Sequence, residues 1–413
     1  MDQRSRELAR HRLADPAWLV RANPRLVIAS LESAADRPQL VAAAVYRTSA
    51  HLHQGSSPAV RRQLLSLDAA RIGDRVLAAK LSEVPLEGEP AALWRVRWVG
   101  GPRSDPRSVR AASGRDGEVL AVAGAASPSR RIVISGTDDG SLRVWDLVTG
   151  KPIGAPLVGH SECVLATAGA VREGRLTAVS GSDDGMLRMS DAVTGLPVGG
   201  PLIGHAAPVR ALAVRTIDGR PFAVSGGWDE TVRIWDLSAE RPVGRVVLGH
   251  EAEIWSVAIA DVHGRAVAVT GGGDGTARIW NVTESRPVGD PLAGHGGPVH
   301  AVATAQLKGR PVAVTGSWDG TLRIWDLRNG QCVGAIRPGH EDLRWAVAAG
   351  TFGGRTIAAT GGGDGRVRIW NLATCAQLGP DLVFPAAVRA LATAPGDRLV
   401  VGFDREVAVL GPR

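Results

Sequence analysis

Cysteine is rare in this chain of 413 residues: it has only Cys163, Cys332 and Cys375. Three thiols without metal-like spacing exclude a disulfide framework. They read as small apolar residues in a reducing compartment. Long apolar runs are missing too. No stretch of about 18 residues could span a membrane, and no N-terminal apolar segment suits a secretory signal, so a cytoplasmic location is expected. A glycine-rich phosphate loop ending in Gly-Lys-Ser/Thr is absent, which removes that nucleotide-binding device. The formal net charge of +7 is mild for this length and is not the dense basic cluster of a dedicated nucleic-acid binder. No nucleophile–base constellation stands out, so neither catalysis nor a cofactor is expected.

What the chain does have is period. Trp145-Asp146, Ser190-Asp191, Trp235-Asp236, Trp280-Asn281, Trp325-Asp326 and Trp370-Asn371 follow one another at steps of 45 residues. Gly159-His160, Gly204-His205, Gly249-His250, Gly294-His295 and Gly339-His340 keep the same step. Composition cannot produce two locked registers. Glycine is also abundant, at 52 residues, as repeated tight turns require.

One repeat, residues 205–249, reads as four short antiparallel strands. VRALAV (209–214), PFAVSG (221–226) and TVRIWDL (231–237) are separated by the turns IDGR and GWDE. The Pro-containing segment 240–250 returns as an edge strand, where proline is tolerated. Such a sheet buries neither face alone, and neighbours arranged in a closed ring bury both.

Over roughly residues 92–413 the chain resembles the WD40 repeat family, whose mark is this period with Gly-His and Trp-Asp. The resemblance implies a seven-bladed β-propeller with a structural tetrad in each blade, formed by His, Ser/Thr, Asp and Trp. Full matches are His205/Ser225/Asp229/Trp235, His250/Thr270/Asp274/Trp280, His295/Thr315/Asp319/Trp325 and His340/Thr360/Asp364/Trp370. Each buried polar group can use the next as its partner. Three repeats depart. The second keeps His160, Ser180 and Asp184 but has Ser190 for Trp. The first keeps Ser135, Asp139 and Trp145 but has Asp105 where His is expected. The last, over 387–410, keeps only Asp404, with Phe384, Val400 and Leu410 at the other places. It has room for three strands. LWRVRWV (93–99) alternates with period 2 and supplies the missing outer strand, closing the ring.

Residues 1–91 differ. They lack glycine turns and carry helical periodicity at 39–54 and 58–74, with helix starts at DPAWLV (15–20) and at Asn23-Pro24. Four or five short helices are expected, with 84–92 as linker. The fold is therefore mainly β, a seven-bladed propeller over 92–413 with a small α-helical segment over 1–91. That segment is similar to the helical region before the propeller in actinobacterial STAND-type ATPases, through DPAWLVRANPRLVIASLESA, AAAVYRTSAH and LSLDAARIGD. The resemblance implies a bacterial signalling context and a separate effector or ATPase subunit. The ATPase activity does not carry over, because the phosphate loop is missing.

Each candidate site has a plainer alternative. The Gly-His histidines stand one per blade, too far apart for zinc, and suit the tetrads. Asp138-Asp139 and Asp183-Asp184 read as a turn-capping Asp beside a solvated neighbour. The resemblance implies that partners contact two positions on the top face. One is the residue before the tetrad Asp: Asp138, Asp183, Trp228, Gly273, Trp318, Gly363 and Phe403. The other lies early in the first strand: Arg110, Leu165, Arg210, Trp255, His300, Trp345 and Arg389. Trp228, Trp255, Trp318, Trp345, His300, Arg210, Arg389 and Phe403 are the types that dominate interfaces. The opposite face repeats Gly-Arg at Arg175, Arg220, Arg265, Arg310 and Arg355, with Lys151, Arg241, Arg286 and Arg328 in nearby loops. This is either an attractor for acidic partners or solvated arginine. Trp325-Asp326-Leu327-Arg328 also matches a ubiquitin-ligase adaptor motif of eukaryotic WD40 proteins, which the bacterial resemblance disfavours.

The expected function is a non-enzymatic scaffold or sensor that binds a protein or peptide through the top face. Two alternatives are an enzyme with a site at the central channel and a nucleic-acid binder using the Arg face. The first meets almost wholly apolar inner strands; the second would show in a salt titration.

Overall fold

The structure, a computed structural model, describes residues 12–86, 94–101, 117–239, 246–340 and 346–412, and the backbone of 241–242. Seven antiparallel sheets follow one another around a central axis. The first blade is Val119–Ala126, Arg131–Thr137 and Leu142–Asp146. The next four open with Val164–Arg172, Val209–Ile217, Ile254–Val262 and Val299–Leu307. The sixth opens with Ala346–Phe352 and the seventh with Val388–Ala394. Their second strands are the most buried, since each is covered on both sides by neighbouring blades; Arg310–Ser317 is exposed only at its first residue.

Outer strands are where sequence limits the sheet. Trp145 and Ser190 meet only single bridges, to Pro152 and Pro197, and the fourth blade's edge is the pair Arg286–Pro287. Proline has no N–H to continue the ladder. In the fifth blade Gln331-Cys332 replaces the Pro-containing pair, and the edge runs six residues, Gln331–Ile336. Of the edge strand expected over 240–250, the described residues form Arg241–Pro242 and a bridge from Val232 to Val247.

The last sheet has the order Trp94–Gly100, Glu406–Pro412, Arg398–Phe403, Val388–Ala394. Its outer strand thus comes from before the first blade, antiparallel to Glu406–Pro412 with Trp94 opposite Pro412 and Gly100 opposite Val407. A bulge between Val96 and Trp98 turns Trp98 toward the first blade, where its indole N–H donates to the Leu147 carbonyl at 2.8 Å.

Among the described residues six α-helices precede this strand: Pro16–Arg21, Pro24–Ser30, Arg37–Thr48, Ala50–His53, Pro58–Arg71 and Arg75–Ser82. Asp15, Asn23, Asp36, Ser57 and Asp74 cap five of them through their side chains. The helical stretch expected over 39–54 breaks at Ser49, which turns its hydroxyl to Asp68 and His53 rather than continuing the helix. Val27, Tyr46, Leu65 and Leu81 form the helical core, and Val96 and Val99 of the closing strand pack onto it. Leu67 belongs instead to the core of the sixth and seventh blades. Helix Pro58–Arg71 therefore faces both ways.

Candidate functional site at the channel mouth

Four blades carry a complete relay. In the third, Trp235 donates its indole N–H to Ser225 Oγ at 2.8 Å, the hydroxyl meets His205 Nε2 at 2.7 Å, and His205 Nδ1 meets Asp229 at 2.9 Å. In the fourth, Trp280, Thr270, His250 and Asp274 are linked at 2.8, 2.7 and 2.9 Å. In the fifth, Trp325, Thr315, His295 and Asp319 are linked at 2.7, 2.7 and 3.0 Å. In the sixth, Trp370, Thr360, His340 and Asp364 are linked at 3.1, 2.9 and 3.1 Å. A hydroxyl that accepts from the indole donates to Nε2, leaving Nδ1–H to donate to the carboxylate. Burial lowers the pKa of His295 and His340 against the pull of their Asp partners, which favours the neutral ring. Burial also opposes ionisation of Asp229. Bonds from His205, the Ala206 N–H and Thr231 outweigh it and hold Asp229 well below the usual carboxylate range. The second blade keeps His160 with Ser180 and Asp184 at 2.9 and 2.8 Å and has no indole. In the first, Trp145 donates to Ser135 at 3.1 Å; Asp105 lies outside the described residues. These side chains hold blades and offer no open face to a substrate.

The mouth of the channel is built by bulges. In six first strands the ladder slips over one residue: Leu120, Leu165, Arg210, Trp255, His300 and Arg389. A bulged residue is re-aimed out of the pleat. All six line a cavity of about 710 Å³ at this end of the channel. Leu120, not Arg110, holds this place in the first blade; Arg110 and Trp345 lie outside the described residues.

On one arc of the mouth the aromatic side chains come together. Trp228 and Trp255 have ring centroids 5.9 Å apart, Trp255 and Trp318 likewise, and the Arg210 guanidinium lies 5.6 Å from the Trp255 ring centre. The sequence makes room for this by alternation. The residue before the tetrad Asp is Trp in the third and fifth blades and Gly273 in the fourth. A Cβ on Gly273 would stand 3.4 Å from Trp255 Nε1 and 2.9 Å from the Glu253 carboxylate. Trp228 is 42 % exposed, and Trp255, Trp318, His300 and Arg210 are half-buried. Arg389 is exposed and pairs with Glu118 at 2.5 Å. Phe403 does not join them. It is fully buried against Phe384, with centroids 5.1 Å apart, because its blade has no His to occupy that space. The far arc is acidic. Burial raises the pKa of Cys163, and Asp183, Asp138 and Glu162 around it push it further up.

The opposite face carries one more arginine than the Gly-Arg step reveals. Arg130, Arg175, Arg220, Arg265, Arg310 and Arg355 recur at steps of 45 residues and are all exposed. Arg130 follows Ser rather than Gly, which hides it from that pattern. Some have local company. Burial disfavours the ionised Asp191, yet N–H bonds from Thr194 and Val193, with Arg175 nearby, hold its pKa down. Arg328 folds back onto Asp326 at 2.7 Å.

The helices hold a Ser/His/Asp set that periodicity gives no sign of. Ser49 Oγ meets His53 Nε2 at 3.1 Å and donates to Asp68 Oδ2. It is not a catalytic arrangement. The carboxylate holds the serine rather than the histidine, all three are buried, and burial beside Arg61 and His51 pushes His53 down to about 4. Among the described residues no three His, Cys, Asp or Glu gather as metal ligands, and no helix is long and apolar enough to cross a membrane.

Comparison with curated proteins finds no match. Comparison with family models matches the WD domain, G-beta repeat, over residues 107–146, 198–236, 242–281, 286–326 and 330–371. The matched segments leave out the three inner strands of the second blade, where Ser190 replaces the indole, and all strands of the seventh, which has no relay. WD40 propellers are typically non-enzymatic interaction modules. Repeats of this kind in five segments, with seven sheets around one axis, make the chain a seven-bladed β-propeller of WD40 repeats.

Proposed function

We propose that this propeller is a non-catalytic scaffold that binds a protein or peptide through the Trp228–Trp255–Trp318 arc. The observation that carries this reading is the aromatic chain itself. Three indoles in succession, with Arg210 against the central one, lie at the rim of an open cavity. Tryptophan and arginine supply most anchors in protein interfaces. Trp345 extends the same arc in sequence. The lopsided rim favours a partner seated off-centre, over the third to fifth blades. Residues 1–91 are then a unit of their own, which ties the propeller over 92–413 to an effector or a separate ATPase subunit in a cytoplasmic signalling complex. Arg71 and Gln63 of that unit bond to Glu406 and Val383 of the propeller, which suits force or position passing between them.

The test is affinity capture from native cell extract with the wild-type chain and with a Trp228→Ala/Trp255→Ala variant. The captured protein is then purified and titrated against both. Each anchor is expected to contribute about 2 kcal/mol, so the double variant binds at least roughly a hundredfold more weakly. Its melting curve should match wild type. Unchanged affinity would remove the arc as the site.

A further inference from the structure

We propose that the cleft between the seventh and first blades, on the face opposite the tryptophans, binds an oxyanion of the phosphate class on Arg95, Arg97, Arg398 and Arg131. The topology assembles these four from three strands. Arg95 of the closing strand stands opposite Gly411. Leu399 pairs with Leu410, so the next step of that antiparallel ladder sets Arg398 beside Gly411 from the other side. Arg97 is the residue left over at the bulge between Val96 and Trp98. Arg131 opens the second strand of the neighbouring blade.

Gly411 leaves the space they occupy. A Cβ there would collide with the Arg398 guanidinium and stand 2.7 Å from Arg97 Nε. Two guanidinium groups therefore share the volume of one missing side chain. Like charges gather this closely only at a cost, unless an anion lies between them. Among the described residues none of the four makes an ion pair with a carboxylate. Arg97 Nη2 donates to the Pro412 carbonyl at 3.0 Å, and the Nε atoms of Arg95 and Arg97 are buried without a partner. The carboxylate of Asp397 lies near Arg398 but is bonded to the Gly353 N–H at 2.9 Å. Burial, then Arg398 and Arg95, hold the Arg97 guanidinium below its ordinary pKa. Arg398 is lowered by burial and Arg95, with Arg131 adding to this and Asp397 opposing. These shifts agree with cations packed beside one another.

The forked guanidinium matches oxyanions in pairs of parallel hydrogen bonds. Four positive charges exceed what one carboxylate offsets, and a phosphate dianion presents enough oxygen acceptors for several forks at once. The site is on the far side of the ring from the tryptophan arc, so it stands or falls separately from the proposed scaffold role.

Titration of the full chain with inorganic phosphate, against sodium chloride at equal ionic strength, tests it. Thermal melts are expected to rise saturably with phosphate and not with chloride. At ten times the dissociation constant the folded-to-unfolded ratio should rise about elevenfold. Arg97→Gln and Arg398→Gln should lose the response while melting no lower than wild type without phosphate, since each relieves repulsion. Gly411→Ala keeps every charge and should weaken the response at least about fivefold by displacing the two guanidinium groups, which separates a built site from net charge. A second arm compares a phosphoserine peptide with its unphosphorylated form. Binding at least about tenfold tighter than inorganic phosphate assigns the anion to a modified protein, and equal binding assigns it to a free ion. An equal response in wild type and both Gln variants, or none in wild type, overturns the proposal.

Discussion

Arg71→Met is the sharpest test of how the helices are fastened to the ring. Arg71 spans two carboxylates. Its Nη1 lies 2.5 Å from Asp68, and its Nε and Nη2 reach Glu406 at 2.8 and 2.6 Å. The side chains of Asp68 and Glu406 are only 2 % and 12 % exposed. Removing the cation leaves two shielded carboxylates side by side. Breaking a buried pair from one side costs about 3–5 kcal/mol, because the charge that remains is neither paired nor solvated. The cost should depend on pH. Burial pushes Asp68 up to about 6, against Arg71 and the Ser49 hydrogen bond, with Glu406 pushing the same way. A folded pKa raised above the unfolded 3.8 means that the folded state holds a proton longer. The stability this gives is full below 3.8 and is lost as pH rises through about 6. Without Arg71 the value rises further, and the loss extends to higher pH at about 1.4 kcal/mol per unit. Urea unfolding followed by circular dichroism should therefore show the full cost at pH 7.5 and a cost below about 2 kcal/mol at pH 5. Arg71→Met with Glu406→Leu should recover part of it, since an apolar pair of similar volume replaces ions without stranding Glu406. A cost under about 1 kcal/mol at pH 7.5, or one equal at both pH values, would refute the reasoning.

Three further outcomes are expected. Trp280→Phe removes a fully buried indole and its bond to Thr270 and should cost about 2–4 kcal/mol by denaturant melt, whereas Trp228→Ala should stay within about 0.5 kcal/mol. A chain beginning at residue 101 exposes the edge of Glu406–Pro412 and should melt below one beginning at 91, which in turn melts below the full chain; equal melting of the two shorter chains counts against closure by Trp94–Gly100. Burial holds the His295 ring below its ordinary 6.5, so its contribution is full above 6.5 and is lost as pH falls. His295→Gln should flatten the fall in melting temperature between pH 7 and pH 5, and an unchanged slope would exclude this relay as a source of acid sensitivity.

The ring is readable because its chemistry is local and repeated. A relay of indole, hydroxyl, imidazole and carboxylate needs four residue types at fixed offsets. His205 to Ser225 is 20 residues and Ser225 to Trp235 is 10, and the same offsets return in three more blades. The same rule misleads where the relay is missing. Counting back from Asp404 puts Phe403 on the rim, but no histidine fills the space beneath, and the ring turns inward onto Phe384. In the first blade the bulge that re-aims the side chain is at Leu120, the residue that a 45-residue step back from Leu165 reaches, whereas Arg110 lies outside the described residues.

Contacts between distant parts of the chain leave no such trace. Arg71 and Glu406 are 335 residues apart, and each read alone is an ordinary charged residue on an element surface. The arginines at Gly411 are similar. Arg95 and Arg97 look like the polar half of an edge strand, and Arg398 like a turn flank, until closure sets them in one cleft. Periodicity locates what every blade needs in order to stand. What distinguishes this propeller sits where the period fails or the ring closes. The tryptophans depend on alternation with Gly273, the anion cleft on a glycine in the one blade made from both ends of the ring, and the helical clamp on a single arginine reaching that same blade. The seventh blade has no relay of its own. It receives the closing strand and the Arg71 bridge, while Gln63 of the same helix bonds to Val383 at the edge of the sixth, so part of its stability is lent from outside the repeat. That makes it the blade whose loosening would uncouple the helices from the ring while leaving the tryptophan arc intact.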